Sequence, residues 1–304
     1  MPERRVVEAT PVAGTCTARE LPPLVDALDE AFVSGRGRGG SLAQRYPGLL
    51  CDANLANLHV RRQGGRVVAC CAVRRFTWIS DDTRWEAAMI GMVYTAPAFR
   101  GRGHAAGVLD AAVDTLAAAG VDFAVLWSGL DGFYERLGWT AHDRGVFGSV
   151  PGSPAGRRGA TQAEPSMADI ARFEVLRERL APQRVARDPT AYAAVPLPAG
   201  RVFGAFAHEG DAQAAALVGQ AGAARYLYDA VGDAAALPAL WDAISAGAGT
   251  VHVNEVIGSE FHRWLARNVD ITFTAQQLAH WRMLSPRAAR AAWRGWHLPW
   301  FDRI

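Results

Sequence analysis

The chain has 304 residues, 50% of them hydrophobic, and a net charge of +2. Length and apolar content predict about two domains, each able to bury a core, and so small a charge gives no ground for a nucleic-acid partner, whose phosphates need a concentrated basic face; none is expected. No run of 18 apolar residues occurs and the opening MPERRVVEAT lacks the apolar segment of a signal peptide, so a cytoplasmic protein with no membrane partner is expected.

The basic residues are all Arg, with no Lys, in a chain rich in Ala and Gly; this reads as compositional bias, not as a binding device. Of Cys16, Cys51, Cys70 and Cys71, the last two are adjacent inside an apparent strand, which suits neither a disulfide framework nor a zinc site, so buried reduced thiols and no metal are expected.

In chain order, the pattern predicts a strand at 5–8, a helix at 21–33, and strands at 58–62 and 66–79 joined by a hairpin at Gln63-Gly64-Gly65. GRGRGG at 35–40 matches Gly-x-Gly-x-x-Gly, but it follows a helix and has no βαβ unit around it, so it reads as a surface loop and not as a dinucleotide site.

The segment 93–105, VYTAPAFRGRGHA, carries the strongest signal. An apolar strand at 87–93 runs up to Pro97, which cannot donate to a sheet. From 103 to 119, Val108, Leu109, Ala112, Val113 and Leu116 recur at helical steps, giving an amphipathic helix of roughly 25 Å. Its first turn presents unpaired N–H groups and the positive dipole end to whatever lies over Arg100, Gly101, Arg102, Gly103, His104 and Ala105. The two glycines let an anion approach, and the two arginines add charge. His104 has two readings, one touching a ligand and one with its ring turned to solvent.

A strand at 121–127 and a short helix at 131–139, ended by Gly138, complete the unit. The segment 149–164, rich in Gly, Pro, Ser and Ala, reads as a linker. A second strand, turn, helix, strand, helix, strand unit follows over 224–284, with Phe261-His262-Arg263-Trp264-Leu265 falling where Phe133-Tyr134-Glu135-Arg136-Leu137 falls in the first. Its turn, Val231-Gly232-Asp233-Ala234, puts an acid where an anion needs donors, so this copy is expected to hold no phosphate. The closing 285–304 starts with an N-cap Ser285 and Pro286 and carries Trp293, Trp296 and Trp300 among arginines; docking on its own protein or on a second subunit outweighs a membrane or nucleic-acid role.

Arg100, Gly103 and Ala105, followed by Phe133, Tyr134, Gly138 and Trp139, resemble the two cofactor-site motifs of the GNAT superfamily of acyl-CoA-dependent N-acyltransferases. The tandem arrangement resembles the Eis-type acetyltransferases, an active N-terminal GNAT domain joined to a degenerate one; those proteins go on into a sterol-carrier-like third domain, and their terminal carboxylate contributes to the site. The resemblance implies an α/β fold with mixed α+β sheets in tandem GNAT-like domains: 1–150 catalytic, 151–165 linker, 166–285 degenerate, 286–304 tail. It implies acetyl-CoA as co-substrate and a small-molecule or peptide amine as acceptor, and it allows a homo-oligomer. A mycothiol-synthase-like tandem enzyme and a non-catalytic acyl-CoA-binding module are the alternatives. The intact loop in the first half argues against the former, and Tyr134 against the latter.

The resemblance assigns Tyr134 as general acid toward the departing CoA thiolate, a role open to a phenol that stays protonated at neutral pH; ordinary core packing against Phe133 and Trp139 is the competing reading. It places the thioester carbonyl on backbone N–H groups of Val93, Tyr94 and Thr95, where such donors contribute about 3–4 kcal/mol. For the general base, Glu86, Asp81 and Asp82 are candidates by position, as is a water chain. Asp26, Asp29 and Glu30 suit either a cationic acceptor or the polar face of the first helix.

Overall fold

The computed structural model describes residues 10–130, 132–154, 167–187 and 201–304. The expected strand at 5–8 and linker residues 155–165 lie outside the described residues.

The described residues open with β1 (Val12–Thr15) and α1 (Leu21–Phe32), which buries Leu21, Leu24 and Leu28 at helical spacing. A capping box between Ser41 and Gln44 starts the short α2 (Leu42–Arg45). β2 (Leu58–Gln63) and β3 (Arg66–Ser80) form the expected hairpin, with Gly64 and Gly65 supplying φ of +58° and +74° at its turn. β4 (Thr83–Thr95), α3 (His104–Ala118) and β5 (Phe123–Trp127) follow. The helix expected at 131–139 shrinks to one 3₁₀ turn, Glu135–Leu137, because Gly132 and Gly138 take positive φ on either side of it.

Next come β6 (Thr140–Ala141), β7 (Gly145–Pro151), α4 (Met167–Leu180), β8 (Gln183–Ala186), β9 (Arg201–Glu209), β10 (Ala212–Ala221) and β11 (Ala224–Gly232). α5 (Leu237–Ser245), β12 (Thr250–Val256), α6 (Glu260–Asn268), β13 (Thr274–Ala275), β14 (Ala279–Met283) and α7 (Pro286–Arg290) end the run of elements. No helix among the described residues is long and apolar enough to cross a membrane.

Two mixed sheets result, in the tandem α/β arrangement expected. The first has the order β1-β2-β3-β4-β5-β14-β6, with β8 paired to β3; the second has β13-β7-β12-β11-β10-β9. The halves therefore trade a strand. β14 from the second half lies between β5 and β6, and β7 from the first half lies between β12 and β13. The two insertions are equivalent, each antiparallel to the strand that ends its host's parallel pair.

Each sheet packs a helix on one face. Val108, Leu109, Ala112, Val113 and Leu116 of α3 meet Ala69, Cys71, Val73, Ala88 and Ile90 of the first sheet. Leu237, Leu240, Trp241 and Ile244 of α5 cover the second. The tail runs over the far face of the first sheet, where Trp296 is 3% exposed among Trp78, Trp85, Phe123 and Trp281. It then crosses to the second, where Phe301 packs with Phe173, Leu217 and Tyr228. All four cysteines are free thiols, with Cys51 half-buried and the others buried.

Candidate active site

β4 and β5 are parallel for three residue pairs only, Ala87–Phe123, Ala88–Ala124 and Met89–Val125. Beyond Met89 they part, although β4 continues to Thr95. A bulge helps to drive the opening. The register with β3 slips between Cys70 and Ala72, and Met92 takes φ of +52°, an uncommon conformation outside glycine that re-aims the strand. Gly91 lies in the opening, and Ile304 occupies the space beside it; a Cβ at position 91 would approach Ile304 to 3.0–3.3 Å. The Ile304 N–H donates to Met89 Sδ at 2.9 Å. α1 covers this side, in one apolar cluster with Met92, Tyr94 and Ile304.

Beyond Thr95, a 3₁₀ turn at Pro97–Phe99 delivers the chain to Arg100. Gly101 and Gly103 both have φ of +75°, and a Cβ on either would meet nothing within 4 Å, so the loop is open above its backbone and α3 starts with its N–H groups bare of any side-chain cap. Arg100 and Arg102 are exposed. Arg100 Nε donates to Thr95 O at 3.2 Å, and Arg102 lies 5.7 Å from the Phe99 ring centre. Donor N–H groups, the positive helix end, two guanidinium groups and two glycines without steric cover fit a pyrophosphate. His104, the ring of which had an expected turn to solvent, is 2% exposed and meets Phe99 edge-on at 6.0 Å: it anchors the loop to the helix start.

Tyr134 is 4% exposed. Its ring meets Phe133 at 4.9 Å, Trp139 at 6.4 Å and His280 at 5.2 Å. Burial pushes its phenol above the ordinary value, with a hydrogen bond from Ser128 working the other way, so it keeps its proton at neutral pH. His280 comes from the exchanged strand β14, where it stands opposite Leu126 of β5; its Nδ1 lies 3.0 Å from Leu278 O and its Nε2 3.6 Å from Glu135. The sequence reading missed His280, because only the exchange brings residue 280 beside residue 134.

Val93, Tyr94 and Thr95 lie along β4 past the point of parting, and Arg100 to Ala105 continue from it, so the structure brings these together. It does not bring Glu86 to them. Glu86 lies five residues before Gly91, about 16 Å back along the strand at ~3.3 Å per residue, exposed and 3.5 Å from Thr77 Oγ1. Asp81 and Asp82 form the β3–β4 turn, farther still, with φ of +48° and +60°. Asp29 and Glu30 are engaged locally, with Leu42 N at 2.6 Å and Ser34 Oγ at 2.9 Å; Asp26 is exposed on α1.

In the second sheet the corresponding turn carries no phosphate loop. Asp233 accepts from Gln213 N at 2.8 Å and pairs with Arg179 at 3.6 Å, so its charge closes the turn on the protein itself.

The candidate site is thus a parallel pair that parts beside a bare helix N-terminus. Residues 15–141 match the acetyltransferase (GNAT) domain family model, and the chain carries a GNAT domain there. Over nearly its whole length it is similar to a GCN5-related N-acetyltransferase from Kribbella flavida, at 19% identity and TM-score 0.69, covering 94% of this chain and 74% of that one. It is similar to a probable N-acyltransferase from Enterococcus faecalis at 14% identity and TM-score 0.73, with 92% and 74% covered. Eis1 from Mycobacterium abscessus matches at 15% identity and TM-score 0.61, with 91% and 75% covered. These likenesses are of fold. No curated protein matches the chain.

Proposed function

We propose that the chain transfers an acetyl group from acetyl-CoA to a primary amine by direct attack in a ternary complex, using the first sheet alone. One observation carries the reading: the open, doubly glycine loop at the start of α3 stands at the end of the strand that parts from β5, with a buried, protonated Tyr134 on the neighbouring turn. Arg100, Arg102 and the N–H groups of 101–105 hold the pyrophosphate. Backbone donors of Val93 to Thr95 face the thioester carbonyl, and the acceptor enters the opening beside Ile304, which packs against Gly91. Acetyl-CoA supplies the activated acyl group.

Tyr134 returns a proton to the thiolate. Its elevated pKa keeps it in the donor form through the neutral range. Glu86 stands too far back along β4 to receive the amine's proton, so that proton passes to water in the opening. α1, Met92, Tyr94 and Ile304 wall the acceptor side, and the second sheet is structural toward this chemistry, since its turn is closed by Asp233.

Isothermal titration of the protein with acetyl-CoA, followed by a CoA-release screen over aminoglycosides, polyamines, amino acids and peptides, tests this. Wild type binds at one site, and the double substitution Arg100→Ala with Gly103→Glu abolishes binding by removing charge and adding a strained, acidic side chain. Binding left intact by that pair overturns the cofactor site; binding without CoA release from any amine favours a non-catalytic module.

A further inference from the structure

Two arginines follow one another on β2, and only one of them is answered. Arg62 pairs with Glu20 at 2.6 Å and donates to Thr15 O at 2.7 Å. Arg61 makes no hydrogen bond or ion pair among the described residues. Of its three nitrogens only Nε is buried without an acceptor, so the outer pair is open to solvent on a half-buried side chain. A guanidinium in that state has given up part of its hydration and gained no partner in return.

Its place in the fold is level with the phosphate loop. Arg61 lies opposite Ala69 of β3, and Ala69 opposite Thr95 of β4, so a row about 10 Å wide runs from Arg61 to the residue whose carbonyl holds Arg100. Ala69 faces α3, and residues directly opposite on neighbouring strands share a face. Arg61 therefore comes up across the first turn of that helix. There it meets Gly107: a Cβ at this position would fall 1.3 Å from Arg61 Nη1 and 2.5 Å from its Cζ. Glycine is unfavourable inside a helix relative to alanine; here its missing side chain is what lets the guanidinium pass. Gly103 and Gly107 share one face of α3, about 6 Å apart along its axis. The unanswered charge thus stands one turn beyond the donors of 101–105. Asp110, in the next turn, is turned to Arg282 at 3.8 Å and leaves Arg61 without a counter-charge.

On the reading that acetyl-CoA is the co-substrate, we propose that Arg61 recognises the 3′-phosphate of its ribose through Nη1 and Nη2. The diphosphate already has its donors at the loop, in the backbone N–H groups, Arg100 and Arg102. The 3′-phosphate is held one ribose away from that diphosphate, which matches the one-turn offset of Arg61 from the loop. It is a phosphomonoester, largely dianionic at neutral pH, and the planar fork of a guanidinium fits two of its oxygens at once. Arg61 therefore separates CoA thioesters from those of carriers that have the pantetheine and diphosphate but no 3′-phosphate.

Titration calorimetry of the full chain with acetyl-CoA and with acetyl-3′-dephospho-CoA checks this. Wild type is expected to bind the dephospho compound about ten- to a hundredfold more weakly, the range of a charge-assisted hydrogen bond. Arg61→Gln weakens acetyl-CoA by a similar factor and leaves the dephospho compound unchanged, so the variant no longer tells the two apart. Gly107→Ala keeps the arginine, closes its passage and favours the helix; it gives the same loss, and it decides the matter where Arg61→Gln does not fold. Wild type that binds both compounds equally overturns the assignment, as does discrimination retained in the variants. An Arg61→Gln protein that weakens both compounds alike also overturns it, since that is the mark of a contact to the diphosphate. Failure of wild type to bind acetyl-CoA at all is a distinct result: it removes the co-substrate reading, and this assignment with it.

Discussion

Tyr134 shows how a residue's neighbours decide what it can do. The two readings of its sequence motif, proton donor and core aromatic, turn out to be compatible: the side chain is packed among Phe133, Trp139 and His280 and hydrogen-bonded to Ser128. Burial that raises its pKa favours the neutral, donating form. Tyr134→Phe keeps the packing and removes the proton, so turnover should fall by about 10²–10³, within the usual range for a general acid, while acetyl-CoA affinity measured by titration stays within about twofold. Equal turnover removes Tyr134 from the chemistry. Its motif made this residue visible in the sequence. His280 was not visible, since a lone histidine on a strand pattern says nothing about which sheet that strand will join. The misplacement of Glu86 has a related cause: its distance from the opening depends on where β4 and β5 part, and the apolar run at 87–93 is uniform across that point.

At the scale of elements, α3 was legible to within a residue, because its apolar spacing and the glycines before it each fix one end. The short helix after β5 was less so, its apolar residues packing as a turn once two glycines bracket them. The join between β5 and the segment after β14 was invisible. Asp122, at the entrance to β5, accepts from Glu86 N at 3.0 Å, Ser285 Oγ at 2.7 Å and Arg287 Nε at 2.7 Å. Burial alone would raise its pKa, but those donors hold it below the ordinary carboxylate value. Asp122→Asn removes the charge from these bonds and should cost about 2 kcal/mol by urea denaturation at pH 7. The sign with pH follows: a depressed carboxylate stabilises above its unfolded pKa and loses that contribution as pH falls through the folded value. The gap between wild type and variant therefore narrows in acid.

For the whole molecule, the repeat was readable and the exchange was not. β7 and β14 are short strands at equivalent places in two similar units, and alternation alone lets either join either sheet. The tail reinforces the exchange. Asp302 is buried between Arg187, at 2.9 and 2.5 Å, and Arg74, which donates to its backbone oxygen at 2.8 Å; burial would raise its carboxyl, and Arg187, Arg177 and Arg74 hold it down. Arg74 belongs to β3, and Arg187 also pairs with Asp229 of β11. The halves should not survive apart. Residues 1–154 expressed alone should lack β14 between β5 and β6 and give broad, poorly dispersed amide spectra, and co-expression with 155–304 should restore them. A well-dispersed spectrum from 1–154 alone contradicts this.

The exchanged strands also set an order of events during synthesis. β5 leaves the ribosome roughly 150 residues before β14, which at about 5–20 residues per second is a wait on the order of ten to thirty seconds. Through that interval the growing chain carries a first sheet with one edge unpaired and, beside it, the strand β7, which belongs to a sheet not yet made. That edge could take β7 as a stand-in partner, so the nascent protein has a ready route to a wrong closure that the completed chain must undo. Chaperone dependence should accordingly be concentrated in this window, and slower translation between β7 and β14 should lengthen it.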